Sequence, residues 1–123
     1  MRRREAIAEF LKEIRSPKPG IRFAAVACLG GLRAIEAVDI LAAVVCDNSE
    51  DALMRFRAVA ALGEIGPPAH NAVKTIIANY DNDYRDIICD ALSKIGTNAA
   101  LEFVKKRRPK AVKRKSRRTR RCT

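Results

Sequence analysis

Apolar positions along this chain recur at helical intervals, and they do so three times in the same form. The segments "RFAAVACLGGL" from Arg22, "RFRAVAALGEI" from Arg55 and "RDIICDALSKI" from Arg85 align on their arginines, at spacings of 33 and 30. Four residues beyond the arginine stand Val26, Val59 and Cys89. Seven beyond stand Leu29, Leu62 and Leu92, and ten beyond stand Leu32, Ile65 and Ile95. Steps of three keep these side chains on one face of a helix. Six beyond are Cys28, Ala61 and Ala91, all small, as close approach between neighbouring helices requires. A turn and a second apolar-periodic stretch follow each segment: "AIEAVDILAAVV", "AHNAVKTIIANY" and "NAALEFVKK". The pattern predicts a helix-turn-helix unit used three times. Ahead of these units, "REAIAEFLKEIRSPKPG" sets Ile7, Phe10, Leu11 and Ile14 on one face and then breaks at two prolines, which predicts a single N-terminal helix, either a cap or the second half of a truncated unit.

The glycines of "RAVAALGEIGPP" invite comparison with a phosphate loop. Such a loop places backbone amides at the start of a helix after a strand, with a lysine and a hydroxyl following. Here the glycines end a helix, and Gly66-Pro67-Pro68 punctuates one helix from the next. Gly96 with Thr97 and Asn98 repeats the device. The fold expected is therefore all-α. It is a short α-solenoid of about three units and seven short helices over residues 1–106, with an N-terminal capping helix and a basic C-terminal tail over 107–123.

The pattern of an apolar residue, an arginine and then "AVAALGEIG" resembles HEAT repeats, in particular the short HEAT-like class of the phycobilisome lyases. The resemblance covers about residues 21–106 and is closest in the second unit. It implies an α-solenoid that binds partners along its surface. It also implies that Arg22, Arg55 and Arg85 are structural, each tying adjacent units together through an acid in the preceding turn. Asp47 and Asp81 are the candidate acids, and Ser16 stands where the first unit offers none. Enzymes of that family need features absent from this sequence. A di-iron hydroxylase needs paired His-Glu motifs, and the one histidine here, His70, lies between Ala69 and Asn71. The glycosylases use tryptophan, of which there is none. An accessory lyase-like role remains as an alternative, with no residue to carry it.

Other chemistry is sparse. Cys28, Cys46, Cys89 and Cys122 form no C-x-x-C pair, so neither a zinc site nor a disulfide framework is expected, and no cofactor is implied. Asp83, Asp86 and Asp90 share a helix face. That spacing permits a divalent ion or an acid-base pair, and equally a solvated face with Asp90 paired to Lys94, or a dock for a basic segment. His70 reads as a surface residue, and Tyr80 and Tyr84 as the edge of the core. No nucleophile stands beside a base, so the expectation is a protein that is not an enzyme. No run of about 18 apolar residues and no secretory signal is found, which predicts no membrane span and a cytoplasmic protein, or a nuclear one in a eukaryote.

Charge changes the picture most. The net charge of +11 is unevenly placed: residues 22–104 carry seven basic and eleven acidic side chains, whereas 105–123 carry twelve basic and none acidic. The twelve are Lys105, Lys106, Arg107, Arg108, Lys110, Lys113, Arg114, Lys115, Arg117, Arg118, Arg120 and Arg121. Such a segment seeks phosphates, and lysine or arginine on phosphate reads no sequence. The expectation is an adaptor that takes a protein partner on its helices and RNA or DNA on its tail, a tail disordered unless bound. A localisation signal, a solvated tail or docking to an acidic protein or membrane surface are the alternatives. Ser116 and Thr119 lie within the basic run, where phosphorylation would weaken polyanion binding.

Overall fold

The computed structural model describes residues 2–107. Within them the chain is all helical. Seven α-helices, α1 (Arg3–Glu13), α2 (Pro19–Gly31), α3 (Val38–Cys46), α4 (Ala52–Ile65), α5 (Val73–Ala78), α6 (Arg85–Ile95) and α7 (Asn98–Arg107), pack together, and no strand occurs among the described residues. Tight 3-10 turns at Ile35–Ala37, Pro67–Ala72 and Asn82–Tyr84 lead into α3, α5 and α6. Among the described residues no helix is long and apolar enough to cross a membrane.

The helix boundaries follow from local chemistry. Asp51 caps α4 by accepting from the Met54 amide at 2.9 Å, and Thr97 Oγ1 accepts from the Ala100 amide at 3.1 Å ahead of α7. Gly66 closes α4 at φ +82° and Gly96 closes α6 at φ +78°, conformations that cost a side-chain-bearing residue and leave glycine unstrained. At the end of α2 the same service falls to Arg33, at φ +53°. There Arg3 of α1 reaches across, its Nη2 donating to the carbonyls of Leu32 at 3.0 Å and Arg33 at 3.1 Å.

The interior is made of the predicted apolar faces. Val26, Leu29, Val59, Leu62, Cys89 and Leu92 are fully buried, and no polar or charged residue is buried among the described residues. Helix α4 lies at the centre, against α2, α3 and α6. Its flanking contacts are alike. Gly30 of α2 sits so close to Ala61 that a Cβ there would lie 2.8 Å from the Ala61 Cα, and a Cβ on Gly63 would lie 2.7 Å from the Ala91 Cα. Glycine facing alanine brings α2, α4 and α6 side by side almost backbone to backbone, which explains why Ala61 and Ala91, six beyond Arg55 and Arg85, are small.

Helix α7 continues through Arg107, so that residue, assigned from sequence to the basic tail, belongs to the last helix. Residues 108–123, with the candidate anchors Arg108, Lys110, Lys113, Arg114, Lys115, Arg117, Arg118, Arg120 and Arg121 and with Cys122, Ser116 and Thr119, lie outside the described residues.

Candidate nucleic-acid interface

Two of the three repeated arginines, Arg22 and Arg55, hold helix ends together, through partners that differ from those expected. Arg22 donates from Nε and Nη2 to the two carboxylate oxygens of Glu50, at 3.0 and 2.9 Å, and from Nη1 to the Ser16 carbonyl at 3.0 Å. Those bonds to Glu50 raise the pKa of the guanidinium further above its ordinary range. Arg55 donates to the Val45 carbonyl at 3.0 Å and to Asn79 Oδ1 at 3.1 Å. Each of these two arginines thus joins a backbone carbonyl near the end of the previous helix, upstream, to a side chain in the turn after the next one, downstream. Asp47 and Asp81, the expected partners, serve their own turns instead. Asp47 Oδ1 accepts from the Ser49 hydroxyl at 2.6 Å and the Ser49 amide at 2.9 Å, and Asp81 Oδ1 accepts from the Asp83 amide at 2.9 Å. Arg85 is exposed, and its side chain makes no hydrogen bond or ion pair among the described residues.

Two smaller predictions arise from these contacts. Replacing Arg55 by alanine strands the Val45 carbonyl and Asn79, and costs about 1–2 kcal/mol in chemical unfolding. The second concerns acid. The Ser49 hydroxyl, and then its amide, hold the Asp47 carboxyl below the usual carboxylate range. A depressed carboxyl contributes stability that is present above its unfolded pKa and lost as pH falls through the folded one. Stability of the natural chain therefore falls more steeply between about pH 5 and pH 3 than that of Ser49→Ala, as read by unfolding midpoints along a pH series.

Acids gather where α4 and α6 begin. Asp47, Glu50 and Asp51 lie in the turn before α4, and Asp81 and Asp83 lie before α6 with Asp86 in its first turn, where the positive end of the helix dipole favours them. The last helix brings its cations to the same edge. Arg107 lies over the Phe103 ring at 4.5 Å and over the Tyr80 ring at 4.9 Å, the two rings meeting edge to face at 5.4 Å, while the Tyr80 hydroxyl is 2.9 Å from Asn82 Oδ1. Such a cation over two rings fixes the last turn of α7 against the turn before α6. Lys105 and Lys106 are exposed beside it. Helix α7 thus ends next to Tyr80, at the acidic edge. Tyr84 stacks on Phe56 with centroids 4.2 Å apart, which places it at the margin of the core.

The other candidates are not assembled into sites. Asp83, Asp86 and Asp90 are exposed, Asp90 pairs with Lys94 at 3.1 Å, and no three His, Cys, Asp or Glu side chains among the described residues are grouped to hold a metal ion. His70 is exposed in the 3-10 turn before α5. A groove of about 460 Å³ runs across the ends of α2, α4 and α6, with Gly30, Gly63, Glu64, Arg33 and Lys94 on its walls. Glu64 leans over Gly30, with Arg57 at 3.5 Å, and offers no nucleophile or base partner.

Set beside protein-family models, curated proteins and solved structures, the chain matches none.

Proposed function

We propose that this chain is a non-enzymatic adaptor, a short HEAT-like solenoid whose stacked helices hold a protein partner and whose basic C-terminal segment anchors it on RNA or DNA. The division of charge carries this reading. Residues 22–104 are net acidic, and every charged side chain from Lys105 onward is positive. The placement of Arg107 beside Tyr80 supports it, because the basic segment starts from a fixed point at the surface and not from a loose helix end. Two further observations support the solenoid: the like contacts of Gly30 with Ala61 and of Gly63 with Ala91, and the like bridges made by Arg22 and Arg55. The segment carries no aromatic residue beyond Phe103, so its binding rests on phosphates and is indifferent to sequence.

The test compares the full chain with one ending at Arg107 for binding to labelled RNA and DNA. Binding by the full chain that is lost on truncation, with the helices intact by circular dichroism, is the expected result. No binding, or equal binding by both chains, overturns the reading and leaves the helices as a protein-protein scaffold.

A further inference from the structure

Negative charge is available at one edge of the α2, α4 and α6 layer and engaged toward the other. Where α4 and α6 begin, Asp47, Asp51 and Asp81 each bond a neighbouring residue through one carboxylate oxygen, Oδ1. The exposed Asp83 carboxylate makes no hydrogen bond or ion pair among the described residues. Toward the opposite edge Glu36 is paired with Arg3 at 3.8 Å, Glu64 with Arg57 at 3.5 Å and Asp90 with Lys94 at 3.1 Å, and Arg33 adds a cation.

The starts of α4 and α6 lie side by side, since Arg55 donates to Asn79 and Phe56 stacks on Tyr84. A groove of about 270 Å³ opens at the start of α6, walled by Asp83, Tyr84, Arg85 and Ile87. Its apolar lining is open to solvent, Ile87 being 39% exposed, and Leu53 on the first turn of α4 is 63% exposed. Lysine and arginine suit such a surface, because their methylene stems cover apolar groups while their heads meet carboxylates.

The chain itself brings such residues here. Helix α7 ends with Arg107 over the ring of Tyr80, and Tyr80 is next in sequence to Asp81. Sixteen residues follow Arg107, nine of them basic and none acidic. About four residues of extended chain span more than the roughly 8–10 Å between packed helices, so the segment is long enough to pass Asp83 and continue to Asp51.

We infer that residues 108–123 dock on this edge of their own chain, cations against Asp81 and Asp83 first and against Asp51 and Asp47 beyond. Charge complementarity selects the edge, and the point where α7 ends selects the occupant. Each exposed ion pair is weak by itself, but a short tether raises the effective concentration to about the millimolar range, so several pairs act together. The docking does not rest on nucleic-acid binding. Its consequence does: on the reading proposed above, phosphates and these carboxylates compete for the same cations, and the edge is covered in the free chain and open in the bound one.

The experiment is carbodiimide cross-linking of the full chain, nuclease-treated and at low salt, as an equal mixture of unlabelled and isotope-labelled protein, with links located by mass spectrometry. This reagent joins an amine to a carboxylate only where the two touch. Links from Lys110, Lys113 or Lys115 to Asp81, Asp83 or Asp51 are expected within one isotopic form, and about tenfold fewer in about 1 M salt, where charges beyond about 3 Å are screened. Asp83→Lys combined with Asp81→Asn, which keeps the cap made by Asp81, is expected to reduce the links to Asp51 at least about threefold. Asp39→Lys, at the start of α3, is expected to leave them unchanged. No links from these lysines, or links spread equally over Glu36 and Asp39, overturn the inference. Links that pair the two isotopic forms overturn it as well, since the edge would then hold the segment of a second copy.

Discussion

Gly63→Ala is expected to destabilise the protein by about 2 kcal/mol and to lower its melting temperature by about 8–16 °C. The sign is the informative part. In an exposed helix interior the same substitution stabilises by up to about 1 kcal/mol, because alanine restricts the unfolded chain and favours the helix. At Gly63 the new methyl would stand 2.7 Å from the Ala91 Cα and 2.8 Å from its Cβ, and neither atom belongs to a side chain that can swing away. Helices α4 and α6 must separate, and with them the packing of Leu62 and Leu92, both fully buried. Overpacking of this kind costs about 1–3 kcal/mol and outweighs the gain in helix propensity. Gly31→Ala is the internal control, because nothing lies within 4 Å of its Cβ position. In dilute protein it is expected to raise the midpoint of chemical unfolding slightly. If Gly63→Ala raises it too, the close approach of α4 and α6 is wrong.

Much of this arrangement was legible in the sequence, and the part that was not has a physical cause. Burial follows periodicity, so the positions four, seven and ten beyond each arginine predicted the core: eight of those nine side chains are buried, and Leu32 is partly so. The small residues six beyond Arg55 and Arg85, Ala61 and Ala91, predicted where helices approach, whereas no such approach is seen at Cys28. The acceptors of the arginines were hidden because they belong to turns. Glu50 lies 28 residues beyond Arg22 and Asn79 lies 24 beyond Arg55, and one is an acid while the other is an amide. Turn length varies between units while helix register does not, so no fixed offset marks the partner. The acids the sequence did suggest, Asp47 and Asp81, are satisfied within their own turns, which is the commonest use of aspartate there. Arg107 was hidden for another reason. Counted among twelve cations it read as one more phosphate contact. Only the fold brings Tyr80 of the preceding unit under it.

That distinction sharpens what salt should do to polyanion binding. Charges beyond α7 can track a phosphate backbone, whereas Arg107 is committed to two rings. Nine of the twelve basic residues follow Arg107, and with about six to eight of these on phosphates, log K falls against log salt with a slope of about −5 to −7. Affinity for a labelled RNA or DNA is then expected to drop about 10³- to 10⁴-fold between roughly 50 and 200 mM salt. Arg107→Ala is expected to change the slope by less than one, and to cost about 0.5–1 kcal/mol in stability through the lost ring contacts. Replacing Arg117, Arg118, Arg120 and Arg121 with glutamine should reduce the slope by about three to four while leaving the melting temperature in place. A slope near zero in the full chain would mean that the basic segment does not meet phosphates. A slope that collapses on Arg107→Ala alone would mean that the anchor is the helix end and its aromatic pair, and the residues to test next would be Lys105, Lys106, Tyr80 and Phe103.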